Sequence, residues 1–352
     1  MNTFADIFAQ DHALHLLSRA YLSGRLPHGL IFAGPIGVGK ATAAAALAAL
    51  FLCPQPILPQ HEGEYPRPCE KCDSCRLFSA KTHPDFHAIY KEHIRYHDKA
   101  GKSKGVNLAI YVIRAELIEP ANLKSNLGHG KAFLIEQADT MTAAAQNALL
   151  KTLEEPAGQT LIILLTDQPA SLLPTIRSRC QLIPFAPLPA DVIKQQLAAR
   201  NIDPALAANA ARWAEGSLGS ALRWIEDDLL ANAGRIRQII TQYLSARHPA
   251  ENLADWFKNA AEHYAEKQLQ RDKLASKDQA VREGLALYLR FAAQPLRLQL
   301  RRESNPANLE RLCQTLESLA RASDDLDANI NIPLIFLQLS SILQRQYLPP
   351  TG

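Results

Sequence analysis

The residues "GPIGVGK" at 34–40 have the G-x-x-x-x-G-K spacing of a loop that cradles phosphate. Glycines let a backbone close on an anion, the N–H groups opening the next helix point at it, and a lysine adds a compact positive charge. Gly34, Gly37, Gly39 and Lys40 are therefore candidate nucleotide ligands. The next residue should carry a hydroxyl for magnesium, and here it is Ala41. Thr42 follows and is a candidate contact, but a helix turns successive residues by about 100°, so it does not simply take that place.

Hydrolysis also needs an apolar strand ending in Asp-Glu, one residue for the metal and one to polarise water. The matching stretch, "AFLIEQAD", ends in Glu136-Gln137. Glu136 can still reach a metal through its longer side chain, whereas Gln137 cannot act as a base. The losses fall on magnesium and water and spare the phosphate cradle. The pattern predicts a degenerate site, open to ATP or ADP binding but not to hydrolysis. A tight turn with no ligand is the alternative.

A second constellation is "PCEKCDSC", which gives Cys69, Cys72 and Cys75 in two successive C-x-x-C steps. Three thiolates need a fourth ligand for a closed tetrahedral site, and Cys53 precedes them by sixteen residues. The expectation is a structural zinc module at about 53–78, with free cysteines, disulfides or an iron–sulfur cluster as alternatives. Cys180 and Cys313 stand alone, and burial would explain each.

These residues must be held by a scaffold. Residues 1–25 read as a helical lead-in, with Ile7, Leu14, Leu17 and Tyr21 near helical spacing. Leu30–Ala33 is a short apolar run before the glycine loop, and an alanine-rich helix pattern follows it. Similar runs recur at 86–90, 131–139, 160–167 and 180–185. Between the third and fourth of these five runs, Thr142 is the expected N-cap of a helix that buries Leu149, Leu150 and Leu153 and stops at Pro156. Strands alternating with helices predict a parallel sheet covered on both faces. From Ala190 onward only helical patterns remain, with breaks near His248-Pro249 and Asn305-Pro306.

The composition agrees with a globular chain. Hydrophobic residues are 47% of 352, enough for a core in each of two or three domains. The net charge of +3 is too small to imply nucleic acid by itself. The longest apolar run is about 14 residues, short of the ~20 that span a bilayer, and the start has no signal-like pattern, so a cytoplasmic protein is expected. The basic stretch at 91–105 reads as a solvated, mobile loop, with DNA contact as the alternative.

"RLPHGLIFAGPIGVGK", the cysteine insertion, "THPDF" at 82–86, "NALLKTLEEP" at 147–156 and "TIRSRC" at 175–180 occur in this order. Together they resemble the clamp-loader subunits of bacterial DNA polymerase III, which are AAA+ ATPases. The resemblance implies an α/β RecA-like AAA+ core with a parallel five-stranded sheet and zinc-binding insertion at 1–185, a small helical lid at 186–226, and an all-α collar at 227–352. It implies membership of the polymerase holoenzyme, with gamma/tau and delta subunits as ring partners. The sliding clamp and primed DNA would be met through the assembled complex, and no membrane.

Active family members keep the magnesium hydroxyl, the Asp-Glu strand end and a lid arginine that senses the gamma phosphate. Here the lid stretch reads "GSLGSAL", with Gly219 in the arginine's place and Arg223 a turn later. The resemblance is thus to the non-hydrolysing member, a scaffold with no intrinsic ATPase. Within "SRC" it implies that Arg179 is an arginine finger acting in trans on a neighbour's ATP, with Ser178 and Cys180 shaping its turn and Arg177 as competitor. Thr166 falls at the sensor position. The rival readings are an active ATPase motor subunit and a stand-alone zinc-containing DNA-binding protein.

Overall fold

The computed structural model describes residues 2–61, 63–97, 107–244, 253–271, 277–328 and 330–347. It divides into two compact units, Met1–Ser220 and Ala221–Gly352.

The first unit is built on five parallel strands: β1 (Gly29–Ala33), β2 (Phe86–Ile89), β3 (Lys131–Ile135), β4 (Thr160–Thr166) and β5 (Gln181–Pro184). Their order in the sheet is β2-β3-β4-β1-β5. This is the expected parallel five-stranded core, and all five apolar runs of the sequence became its strands. β1, β3 and β4 are buried at every position, because helices cover both faces. One face packs Phe32, Leu134, Ile163 and Leu165 beneath the alanine-rich helix, and the other packs Ile31, Phe133, Ile162 and Leu164. Alternate residues of each strand thus feed opposite cores.

The helices of this unit are α1 (Asp11–Leu22), α2 (Lys40–Leu52), α3 (Asp73–Ser79), α4 (Ile94–His97), α5 (Ile110–Ile113), α6 (Glu119–Ala121), α7 (Ala143–Glu154), α8 (Pro174–Arg177), α9 (Ala190–Ala198) and α10 (Pro204–Trp213). Thr142 caps α7 as expected: its side chain accepts from the Ala145 N–H at 3.2 Å. Such a cap is worth about 1 kcal/mol. Leu149 and Leu153 are buried and Leu150 packs at the edge of the same core.

The reading of the lead-in is corrected. Ile7 is not in the first helix. A short 3-10 turn at Phe4–Asp6 precedes it, and α1 starts only at Asp11. The break is fixed by Gln10, whose side-chain amide donates to Ala186 O at 2.7 Å and accepts from Ala186 N–H at 2.9 Å. A long-range tie of this kind overrides local helical spacing.

Of the basic stretch, residues 91–97 are described, and His97 is bonded to Glu116 at 2.6 Å within a π turn, Arg114–Ile118. Residues 98–106, which carry most of that stretch, lie outside the described residues.

α11 (Leu218–Glu226) crosses the division between units. The second unit continues with α12 (Leu229–Leu244), α13 (Leu253–Arg271), α14 (Lys277–Leu300), α15 (Pro306–Asp327) and α16 (Ile332–Tyr347). No strand occurs here among the described residues. Its core centres on Tyr288, Phe257 and Phe291. The Tyr288 hydroxyl accepts from Asn232 at 2.9 Å, and burial pushes its pKa up to about 12. Asn305 caps α15, so that break falls where Asn305-Pro306 predicts it. His248-Pro249 lies outside the described residues. Cys313 is exposed, which corrects the expectation of burial: it projects from the polar face of α15. No described helix is long and apolar enough to cross a membrane.

Candidate functional site

β1 delivers the chain into the glycine loop, and the Gly34 N–H is bonded to Thr166 O at the end of β4 (3.1 Å). α2 starts at Lys40. The Lys40 ammonium turns back on its own loop and donates to Gly34 O at 2.5 Å and Pro35 O at 2.7 Å. Burial lowers its pKa, opposed by the carboxylates of Asp167 and Asp139. Thr166 donates to Asp139 Oδ1 at 2.8 Å and accepts from Gln168 N–H at 2.9 Å. The loop, Lys40 and Thr166 lie together here, and Asp139, which was not singled out in the sequence, joins them through Thr166. Ala41 is exposed at the start of α2 and Thr42 half-buried beside it. Glu136 follows β3 and its N–H donates to Ile89 O at 3.0 Å, while Gln137 is exposed in a left-handed conformation (φ 52°).

The chain itself covers the middle of the loop. The Gly219 N–H donates to Gly37 O at 3.0 Å. A Cβ on Gly37 would lie 2.3 Å from Ser217 Oγ, and its φ of +75° already disfavours any side chain. Ser217 is itself fixed, accepting from the Ser220 N–H at 3.0 Å and donating to Ser220 Oγ at 2.8 Å. The "GSLGSAL" segment therefore rests its backbone on the loop backbone.

Arg179 lies on a separate, more exposed platform. β1 makes room for it: a Cβ on Gly29 would lie 3.0 Å from Cys180 Sγ and 3.3 Å from Arg179 O. His28 Nε2 donates to Leu153 O at 2.6 Å and so ties the end of α7 to the start of β1. Gln146 accepts from the Leu173 N–H at 2.8 Å, linking α7 to the turn that opens α8. Ser178 Oγ donates to Thr175 O at 3.1 Å, and burial pushes the Cys180 thiol up to about 12, leaving it inert at neutral pH. On this base the Arg179 guanidinium meets Glu154: Nε donates to Oε1 at 2.7 Å and Nη2 contacts the same oxygen. Nη1 donates to Thr175 O at 3.1 Å and Ser178 Oγ at 3.3 Å. Arg177 is exposed nearby. His28 and Glu154 sit inside quoted motifs and Gln146 directly precedes one, but nothing in their spacing revealed which groups they meet.

The four cysteines converge. The Sγ atoms of Cys53, Cys69, Cys72 and Cys75 all lie within 4.8 Å of one another. Cys69 Sγ and Cys75 Sγ are 3.9 Å apart, which is no disulfide. A tetrahedral zinc with Zn–S bonds of 2.3 Å requires sulfurs about 3.8 Å apart, so the set fits that ion. Backbone N–H groups already point at the sulfurs: Cys69 N–H to Cys53, Cys72 N–H to Cys69 and Cys75 N–H to Cys72, each at 3.4 Å. Such donors stabilise thiolate, and the Lys71 and Cys72 N–H groups lower the Cys69 pKa to about 6. Burial pushes Cys53 and Cys75 the other way.

A buried polar chain anchors this module. His83 Nδ1 accepts from the Asp85 N–H (3.1 Å), so Nε2 carries the proton and donates to Ser74 Oγ (3.0 Å). Ser74 Oγ in turn donates to Leu52 O at the end of α2 (2.9 Å). The Ser-His-Asp grouping is thus a brace, since its proton direction is the reverse of what a nucleophile needs. Asp85 accepts from Asn126 N–H, Asn126 Nδ2 and Leu127 N–H at 2.7–2.9 Å.

Comparison with known proteins adds to this. The sequence pattern of the family described as "DNA polymerase III, delta subunit" matches residues 9–189, half of the chain. The chain belongs to this family. It is 35% identical over 199 residues to DNA polymerase III subunit delta' of Bacillus subtilis, covering 56% of this chain and 54% of that one. It is 34% identical over 245 residues to subunit delta' of Escherichia coli, covering 68% and 65%. The chain therefore spans about half to two thirds of the length of these relatives. Among solved structures, a gamma subunit-related protein of DNA polymerase III from Thermotoga maritima aligns with 95% of this chain and 99% of its own, at 17% identity and a TM-score of 0.42. The family's matched span contains the glycine loop, all four clustered cysteines and Arg179, whereas Ser217 and Gly219 lie beyond it.

Proposed function

We propose that the chain is the non-hydrolysing subunit of a DNA polymerase III clamp loader, and that Arg179 acts in trans on the ATP of a neighbouring subunit. The observation that carries this is the contrast between its two candidate sites. The glycine loop is closed in on its own chain, with Lys40 on loop carbonyls and Gly219 on Gly37. Arg179 instead stands on a braced platform and keeps 35% of its side chain exposed. A guanidinium supplied from outside stabilises the charge that develops in phosphoryl transfer, and such fingers are worth roughly 10³–10⁵ in rate. This chain would supply that group and turn over nothing itself.

In this reading gamma/tau and delta subunits are the ring partners, and the sliding clamp and primed DNA are met through the complex. The core, the lid at 186–226 and the collar at 227–352 are its working parts, the collar joining the ring. The degenerate site of Gly34, Gly37, Gly39, Lys40, Thr42, Glu136 and Thr166 is left with nucleotide binding at most. Zinc, held by Cys53, Cys69, Cys72 and Cys75, takes a structural part: a full set of four protein ligands leaves no position for substrate.

The test is reconstitution with gamma/tau and delta subunits. Arg179→Ala should leave assembly intact and slow ATP turnover by the complex. An unchanged rate removes the finger from the proposal. The rival, an active motor subunit, predicts magnesium-dependent turnover by the purified chain.

A further inference from the structure

Arg179 does not simply point outward. A guanidinium has five N–H donors. Nε and Nη2 are directed at Glu154 Oε1, and Nη1 is directed at Thr175 O and Ser178 Oγ. Four of its donors are thus turned on the chain's own surface. A bidentate grip on a phosphate needs two adjacent donors, so one internal partner must be given up first.

Glu154 is placed where a carboxylate is not otherwise favoured. It is the last residue of α7, where the helix dipole is negative and a cation is preferred. Arg179 supplies that cation. The end of α7 is held in register with the arginine by His28 on Leu153 O and by the close approach of Gly29 to Cys180 and Arg179. The pair is therefore set by packing rather than by chance surface contact, yet both partners stay wet, at 35% and 48% side-chain exposure. An ion pair of that exposure is worth no more than about fivefold in an equilibrium. That is enough to define a rest position and small enough to be displaced by the several charges of a triphosphate.

We propose that Glu154 is the parking carboxylate of Arg179: it holds the guanidinium on the subunit's own surface and exchanges it for the phosphate of a neighbouring nucleotide. This rests on the reading of Arg179 as a trans-acting finger. Glu154 is then a positioning residue that competes with nucleotide already in the ground state, so its removal acts on KM rather than on kcat.

The experiment uses the reconstituted complex with four forms of this chain: native, Glu154→Gln, Arg179→Ala and the double variant. Glu154→Gln keeps shape and hydrogen bonding and removes the charge. It should lower the ATP KM of the complex by about two- to fivefold with kcat unchanged. The same substitution should do nothing in the Arg179→Ala background. A second measurement needs no complex: in the isolated full chain, the Arg179 Nε–H should give a resolved NMR signal that Glu154→Gln shifts and leaves exchanging faster with water. An unchanged KM, a fall in kcat, or an equal effect in both backgrounds overturns the parking role while the slowing by Arg179→Ala leaves the finger standing. If Arg179→Ala leaves the rate unaltered, the finger fails and the parking role with it.

Discussion

Gly219 and Gly37 meet backbone to backbone, with the Gly219 N–H on Gly37 O at 3.0 Å and no room for a side chain between them. A Cβ on Gly219 would lie 2.9 Å from Gly37 Cα. Gly219→Ala should destabilise the fold by about 1–3 kcal/mol through overpacking. Gly37→Ala should cost at least as much, since it adds a left-handed φ to the clash. Denaturant midpoints of the two variants check this. Two native-like midpoints would mean that the loop and the glycine turn do not pack together in solution.

The purified chain should hydrolyse ATP no faster than the buffer background, with or without primed DNA. Restoring the missing hydroxyl with Ala41→Thr should not rescue it. Gln137 still offers no base, and the loop still carries Gly219 on its Gly37 carbonyl. A steady-state phosphate-release assay decides the matter, and turnover near that of a motor subunit contradicts the proposed division of roles.

The native protein should carry one equivalent of zinc, and Cys72→Ser should lose it. Structural sites of this kind contribute roughly 10–16 kcal/mol of apparent binding free energy at neutral pH. A strong chelator should therefore lower thermal stability, and excess zinc should restore it. Metal analysis that finds no zinc in protein prepared without chelator dismisses the site.

Acid should destabilise the first unit in two stages. Burial lowers the pKa of His83, opposed by Asp85, and burial followed by Lys131 lowers that of His87. Below their ordinary value of 6.5 the unfolded chain takes up protons that the folded chain refuses. Stability therefore falls as pH drops through and below 6.5. Asp85 behaves differently. Burial raises its pKa, but the Asn126 and Leu127 N–H groups outweigh this and hold it below 3.8. Its contribution persists above that value and is lost as pH falls through the lower folded pKa. His83→Gln should be less stable at neutral pH, having lost its fit to Ser74, and should show a shallower slope just below pH 6.5. An unaltered slope would assign the first stage to other groups.

Much of the architecture was legible because it is written in local physics. Five short apolar runs became five strands, and Thr142 capped its helix, since burial pattern and capping chemistry are properties of neighbouring residues. Ile7 was misread for the complementary reason: the tie between Gln10 and Ala186 that breaks the helix spans 176 residues, and no window on the sequence contains both ends. Cys313 was misread because a lone cysteine carries no signal of which side of its helix faces the core.

The chemical inventory can be read from residue types and their spacing: a glycine loop ending in Lys40 with no hydroxyl at position 41, four thiols at metal spacing, and an arginine in a turn. What these groups face follows from the fold alone. It turned Lys40 onto its own loop, set Gly219 on Gly37, made Ser74 and His83 a brace, and put Arg179 against Glu154. The reason is range. Residue type and spacing fix what a side chain can do, but its partner is chosen when packing brings together segments that are remote along the chain.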